Sequence, residues 1–312
     1  MVELPLARYR FRFSMHAALR LPEYAGSLLR GQFGAHLRAL SCTTGAPRCD
    51  ACPQRSACAY AQVFETPAPT QHSLQNFSHI PNPYVIEPPP LGARQIAIGE
   101  VLEFNIVLFG DALQQLPLIA AALRQALQGG LSKTRARGQL QAIAALDPQR
   151  DHWQTIWQSG NHALADHPTR YPLPRSTPAT ERITLQFYTP LRLQQQGQPV
   201  PITALTPRKL IADLLRRISL LAEFHAGQPA LIPDVSALVR HAESLQHHHQ
   251  LHWLDETRFS SRQQRNMPIG GALGRWVLEG ELAPLLPWLE LGQWLHVGKL
   301  ASQGLGGYRL AA

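Results

Sequence analysis

The chain has 312 residues, 45% of them hydrophobic, which is enough to furnish two cores, and two domains of roughly 130 to 180 residues are the expected organisation. Lysine and arginine outnumber aspartate and glutamate by 29 to 21 and the sequence pI is near 9.7, a balance that favours a polyanionic partner such as nucleic acid. The opening MVELPLARYRFRFSM lacks the apolar core of a signal peptide and no window is long enough to span a membrane, so a cytoplasmic protein without a membrane partner is expected.

In chain order, residues 6–17 alternate apolar and polar as a strand does, and Glu23 to Leu40 places Leu29, Phe33, Leu37 and Leu40 on one helical stripe. After a cysteine-rich and proline-rich stretch, 101–109 reads as a buried strand, 116–128 as a helix and 138–146 as a strand. Asp147 to Thr180, with Pro148, Pro168, Pro172, Pro174 and Pro178, reads as a connection. A second pass begins near Glu181. There 181–194 is strand-like, 208–227 is a helix stopped by Gly227, and 231–245 is an added helix. Residues 251–259 and 270–282 follow as strands, 283–296 as a helix and 308–310 as a closing strand. Each half fits βαββαβ, so the expected class is α+β with two tandem ferredoxin-like (RRM-like) domains, 1–175 and 176–312. The first would carry a cysteine-rich, metal-binding insertion at 42–90.

Cys42, Cys49, Cys52 and Cys58 are the only cysteines, separated by six, two and five residues. In a reducing compartment such a cluster reads as metal ligation before disulfides. Four thiolates suit tetrahedral structural zinc, and an iron–sulfur cluster takes the same ligands. Four protein ligands leave no open position for a substrate. His241, His247, His248, His249 and His252 crowd a passage from helix to strand without a recognised ligand spacing, and read as a solvated loop.

The stretch from His296 reads HVGKLASQGLGGYRLAA, with Gly298, Gly304, Gly306 and Gly307 around Lys299, Ser302 and Gln303. Residues without Cβ let backbone amides approach phosphate oxygens closely. A nucleotide-binding glycine loop is followed by a helix, and five residues after Gly307 are too few for one. Either another kind of phosphate is held here or the loop is a turn before a final strand.

The segment RFSSRQQRNMPIGGALGRWVLEGELAPLLPWLELGQWLHVGKLASQGLGGYRL, Arg258 to Leu310, resembles the C-terminal signature of the CRISPR precursor-RNA processing endoribonucleases, the Cas-six family of the RAMP superfamily. Leu28 to Glu65 is similar to the same family's first helix and its cysteine-bearing variant. The resemblance implies that the glycine-rich loop lies on an RNA backbone, with Lys299 adding charge, Ser302 and Gln303 donating, and Gly304, Gly306 and Gly307 allowing close approach. Arg258, Arg262 and Arg265 would extend the cationic surface, or be solvated loop arginines.

It further implies metal-independent cleavage by the RNA's own 2′-hydroxyl, giving a 2′,3′-cyclic phosphate and a 5′-hydroxyl. Proton transfer then needs a base and an acid. His36, the one histidine on the first helix, is the candidate, although it falls close to the apolar stripe and could equally be packed. His16 and Tyr24 stand in reserve. The implied partners are CRISPR repeat RNA and other Cas proteins of an effector complex. A non-catalytic crRNA-binding subunit is the alternative reading, and a zinc-dependent DNA-binding module the third, against which the absence of a recognition-helix pattern argues.

Overall fold

The structure is a computed structural model that describes residues 2–69, 80–132, 134–174, 179–260 and 265–311. The chain divides into two compact units, one of Leu4–Tyr171 with Leu220–Gly227 and the other of Met1–Glu3, Pro172–Ser219 and Gln228–Ala312.

The first unit starts with β1 (Val2–Met15), β2 (Leu19–Leu21) and α1 (Gly26–Ser41). It continues with α2 (Ala59–Phe64), β3 (Tyr84–Glu87), β4 (Arg94–Ile96), β5 (Val101–Phe109), α3 (Leu116–Gly129), β6 (Gly138–Asp147), β7 (His152–Gln158) and β8 (Arg170–Leu173). Its main sheet runs β3-β5-β1-β6-β7, with β8 also on β1 and a separate β2–β4 pair. Taking β1, β3, β5 and β6 as first to fourth strands, the order is 2-3-1-4 with α1 and α3 as the crossovers, which is the βαββαβ unit.

The period of two in RYRFRF decides how β1 sits. Tyr9, Phe11, Phe13 and Met15 are buried, and Phe104 of β5 stacks at 5.9 Å on both Phe11 and Phe13. Arg8, Arg10 and Arg12 take the opposite face, where Glu87 meets Arg8 at 3.0 Å and Glu103 meets Arg10 and Arg12 at 3.3 Å each. On α1, Leu29, Phe33 and Leu37 repeat every fourth residue and face this core. Leu40, expected on the same stripe, is 38% exposed because it lies at the last turn. Gly34 admits α2: a Cβ there would lie 2.3 Å from the Phe64 ring.

The stretch 42–90 is not all insertion, since α2 and β3 lie within it. Prolines on both sides hide β3, and as a sheet-edge strand it tolerates them. The connection expected over 147–180 likewise carries β7 and β8.

The second unit holds β9 (Arg182–Leu191), β10 (Gln194–Gln195), β11 (Gln198–Pro199), α4 (Pro207–Ala226) as far as Ser219, α5 (Val235–Glu243) and β12 (Gln246–Leu254). Then come β13 (Thr257–Ser260), β14 (Arg265–Pro268), β15 (Gly271–Glu279), α6 (Leu286–Leu295) and β16 (Tyr308–Ala311). Its sheet, β12-β15-β9-β16, is again 2-3-1-4, with all neighbours antiparallel. Asp234 caps α5 by accepting the Ala237 amide hydrogen at 2.7 Å. Of the histidines expected in a loop, His241 belongs to α5 and His247, His248, His249 and His252 to β12: His249 lies opposite Trp276 in the register, and the Trp276 indole donates to His247 Nδ1 at 3.3 Å.

Candidate RNA-binding and cleavage site

In the second unit the glycine-rich loop follows α6. That helix ends at His296, whose φ of 58° turns the chain, and whose amide still donates to the Gly292 carbonyl at 2.8 Å. The loop then folds back on β9. Val297 donates to Gly306 at 3.2 Å, Gly306 to Pro190 at 2.9 Å, and Lys299 to Arg192 at 2.8 Å. Thr189 holds it twice, its hydroxyl donating to the Gly304 carbonyl and accepting the Gly307 amide, both at 2.7 Å. The fully buried His296 ring places Nδ1 3.1 Å and 3.2 Å from the Gly304 and Leu305 carbonyls, and Nε2 3.3 Å from the Tyr188 hydroxyl. Two carbonyl acceptors assign the proton to Nδ1, so Nε2 accepts from the tyrosine.

This arrangement gives the glycines work other than facing phosphate. Gly304, Gly306 and Gly307 are buried, and their amides are taken by Ala301, Pro190 and Thr189. A Cβ at Gly306, where φ is 69°, would stand 1.8 Å from the Val297 carbonyl oxygen, and one at Gly307 2.6 Å from His296 Cε1. Gln303 is also buried, at 3% exposure. What the loop turns outward is Lys299, exposed, with Ser302 half-buried beside it. Arg258 and Arg265 have backbones in the β13–β14 pair, while Arg262 lies outside the described residues.

Sequence reasoning missed Tyr188, Thr189 and Arg192, which are remote from the loop in sequence. It quoted His296 without a role. Arg192 is 7% exposed, its Nη1 donates to the Gly270 carbonyl at 2.7 Å, and burial holds its pKa below the usual guanidinium value.

The proton-transfer candidates lie in the first unit. His36 is half-buried on α1, its Cε1 3.8 Å from where a Cβ on Gly129 would stand, so it faces the end of α3. His16 is exposed just past β1, and its amide donates to the Arg137 carbonyl at 2.8 Å. Tyr24 is 5% exposed, which leaves little of it for a substrate to reach.

The four cysteines line one cavity of about 380 Å³ with Arg38 and Tyr60. The Cys52 amide donates to the Cys49 carbonyl at 3.1 Å in a tight turn, and Cys42 and Cys58 stand at the end of α1 and the start of α2. Hydrogen bonding from the Gly45 backbone, then Thr44, holds the Cys42 thiol below its usual pKa, whereas burial raises that of Cys49. The donor chemistry suits a soft metal. As placed, no group of three or more His, Cys, Asp or Glu side chains among the described residues closes into a coordination shell.

Two βαββαβ units, the second ending in a glycine-rich loop folded onto its first strand, make this a tandem ferredoxin-like protein. Residues 4–169, more than half of the chain, match the AF_1859_N N-terminal domain family, and residues 185–308 match the CRISPR-associated endoribonuclease Cas6 family. The chain thus belongs to the family of the AF_1859_N N-terminal domain, and over 185–308 it is similar to the CRISPR-associated endoribonuclease Cas6 family. A curated relative, an uncharacterized protein of Archaeoglobus fulgidus, is 24% identical over 93% of this chain and 92% of its own length. Among solved structures, a Cas6 product complex superposes with a TM-score of 0.58 at 16% identity, covering 97% of this chain and 99% of that one. Thermus thermophilus Cas6 gives 0.52 at 16% identity and full coverage of both, 100% and 100%. A partial Cas6-RT-Cas1–Cas2 complex gives 0.57 at 17% identity over 99% of this chain, which spans 47% of the length of that one. At these identities the likeness is one of fold. No helix among the described residues is long and apolar enough to cross a membrane.

Proposed function

We propose that the chain binds CRISPR repeat RNA and cleaves precursor crRNA through the RNA's own 2′-hydroxyl, without a metal in the reaction. The observation that carries this reading is the Cas6 match over 185–308, which ends on a loop built to present Lys299 outward. The 2′-oxygen gives its proton to a base and bonds to the adjacent phosphorus. The bond from phosphorus to the 5′-oxygen breaks, and an acid protonates the leaving oxygen, leaving a 2′,3′-cyclic phosphate and a 5′-hydroxyl. His36 takes one proton-transfer role, because histidine is a side chain suited to proton transfer and His36 is the half-buried imidazole of α1, with exposed His16 the next candidate.

A repeat RNA bearing one 2′-deoxy nucleotide immediately upstream of the cut should bind normally and stay intact, in EDTA as in magnesium. His36→Ala should slow single-turnover cleavage by roughly 10²-fold or more with affinity unchanged. Cutting at the deoxy position overturns the mechanism, and full activity of the histidine variant overturns only that assignment. Binding without any cleavage by the parent would favour a non-catalytic crRNA-binding subunit. Assembly with other Cas proteins in the cytoplasm belongs to the same reading, supported by the Cas6-RT-Cas1–Cas2 likeness in fold.

Zinc completes the proposal. Cys42, Cys49, Cys52 and Cys58 would hold it, and a closed four-thiolate ion supplies folding energy and no catalysis. Elemental analysis should find one zinc per chain, lost with solubility in the Cys49→Ser/Cys52→Ser variant. Iron would make the centre an iron–sulfur cluster, and the absence of both metals would refute the site.

A further inference from the structure

The first unit contains a counterpart of the glycine-rich loop. Gly129 to Gly138 reads GGLSKTRARG and joins α3 to β6, as the loop after α6 joins α6 to β16. Each connects the second helix of its βαββαβ unit to the fourth strand. The likeness extends to the backbone. The break after α3 comes at Gly130 with φ of 98°, as the break after α6 comes at His296 with φ of 58°. Leu131 and Ala136 exchange backbone hydrogen bonds of 2.9 Å, closing the loop at its neck as the Val297 amide and the Gly306 carbonyl do at 3.2 Å. Non-glycine residues are held left-handed in both, Ser132 and Arg135 here and Leu300 there. Both necks are tight enough to require glycine: a Cβ on Gly130 would stand 2.5 Å from the Arg135 carbonyl oxygen.

Charge and surroundings show what this loop can do. Arg135 and Arg137 are exposed, and neither forms an ion pair among the described residues. By contrast Arg8, Arg10 and Arg12 on the neighbouring strand are all neutralised by Glu87 or Glu103. The loop also touches both candidate histidines, since His36 abuts Gly129 and the His16 amide bonds to the Arg137 carbonyl. Arg135 therefore stands on the closed turn and Arg137 just past its neck, in a segment whose two ends adjoin His36 and the His16 backbone. A guanidinium matches phosphate oxygens with paired donors, and a closed turn limits the ordering entropy of that contact.

We propose that the α3–β6 loop is a second RNA-backbone site, in which Arg135 and Arg137 hold phosphates of the strand that passes His36. The proposal rests on the reading of the chain as an RNA-binding endoribonuclease. It assigns to the first unit a grip of its own on the RNA, in addition to that of Lys299.

The test is fluorescence-anisotropy titration of labelled CRISPR repeat RNAs at several salt concentrations, using the repeat that the parent binds. The Arg135→Ala/Arg137→Ala variant should flatten the slope of log K against log salt by about 1.4, for two phosphates on a single strand, and weaken binding near physiological salt by about 10-fold. Both side chains are exposed, so the variant should melt as the parent does. Arg150→Ala, in the β6–β7 turn and paired with Asp147, is the control and should leave slope and affinity unchanged. Parent-like slope and affinity in the double variant overturn the proposal while the endoribonuclease reading stands. An equal loss in Arg150→Ala also overturns it, because any surface charge would then serve. A parent that binds no repeat RNA removes the reading on which the proposal rests.

Discussion

Replacing Thr189 with Val should loosen the glycine-rich loop from β9 while keeping the side chain's shape. Thr189 is 5% exposed, and its hydroxyl makes two 2.7 Å hydrogen bonds, to the Gly304 carbonyl and from the Gly307 amide. The Gly304 carbonyl keeps His296 Nδ1 at 3.1 Å, so it is not orphaned. The Gly307 amide has no such reserve and would be left buried without its acceptor. A net hydrogen bond lost and a buried donor left unsatisfied together cost about 2–3 kcal/mol. For a unit of this size that is a fall in melting temperature of roughly 4–12 °C. Denaturant titration would measure the loss, and hydrogen exchange should show the Gly307 amide opening fastest relative to the parent. Thr189→Ser keeps both bonds and should recover most of the stability. A valine variant within about 0.5 kcal/mol of the parent would refute this account of how the loop is held.

Two further perturbations act with opposite signs. Gly31 is exposed within α1 with no heavy atom near its missing Cβ, so Gly31→Ala should stabilise by about 0.5–1 kcal/mol, whereas Gly306→Ala, strained and in collision with Val297, should destabilise by at least about 2 kcal/mol. Equal shifts in thermal unfolding would contradict both. Burial raises the Glu290 pKa above its ordinary 4.5, so the ionised carboxylate weakens the fold above the folded pKa, and that penalty disappears as pH falls below the unfolded value. Glu290→Gln should therefore be more stable than the parent at pH 7 and lose that advantage by about pH 4. Parallel stability curves across this range would show that Glu290 is as well solvated folded as unfolded.

Periodicity made the framework legible where each segment reported its own environment. VLEFNIVLF is β5 over its whole length, and the buried spacing of Leu29, Phe33 and Leu37 marks α1. It failed where local chemistry and tertiary placement disagree. Tyr84–Glu87 sits among prolines and looks like insertion, yet all four residues are buried at a sheet edge. The strand read at 251–259 covers only the LHWL end of β12, and the histidine-rich half before it is a strand because the backbone pairs with β15 along nine residues. The glycine-rich loop was legible as a loop, but its orientation was not. Whether an amide faces outward or is consumed by Thr189 depends on a strand more than a hundred residues earlier. The sequence also points to the cysteines as a group, and their gathering around one cavity follows from α1 and α2 packing together through Gly34 and Phe64.

Arg192 deserves to be viewed as a mechanical part. Its guanidinium is fastened to the Gly270 carbonyl, where the β13–β14 pair returns to β15, and its own carbonyl is fastened to the Lys299 amide. Gly298 fits against that same carbonyl, because a Cβ there would come within 2.6 Å of the oxygen. One buried residue thus couples the base of the hairpin to the outward lysine, and neither can shift far without pulling the other. An RNA that engages the hairpin would stiffen the loop before touching it, so the two segments should behave as one lever with a common fulcrum.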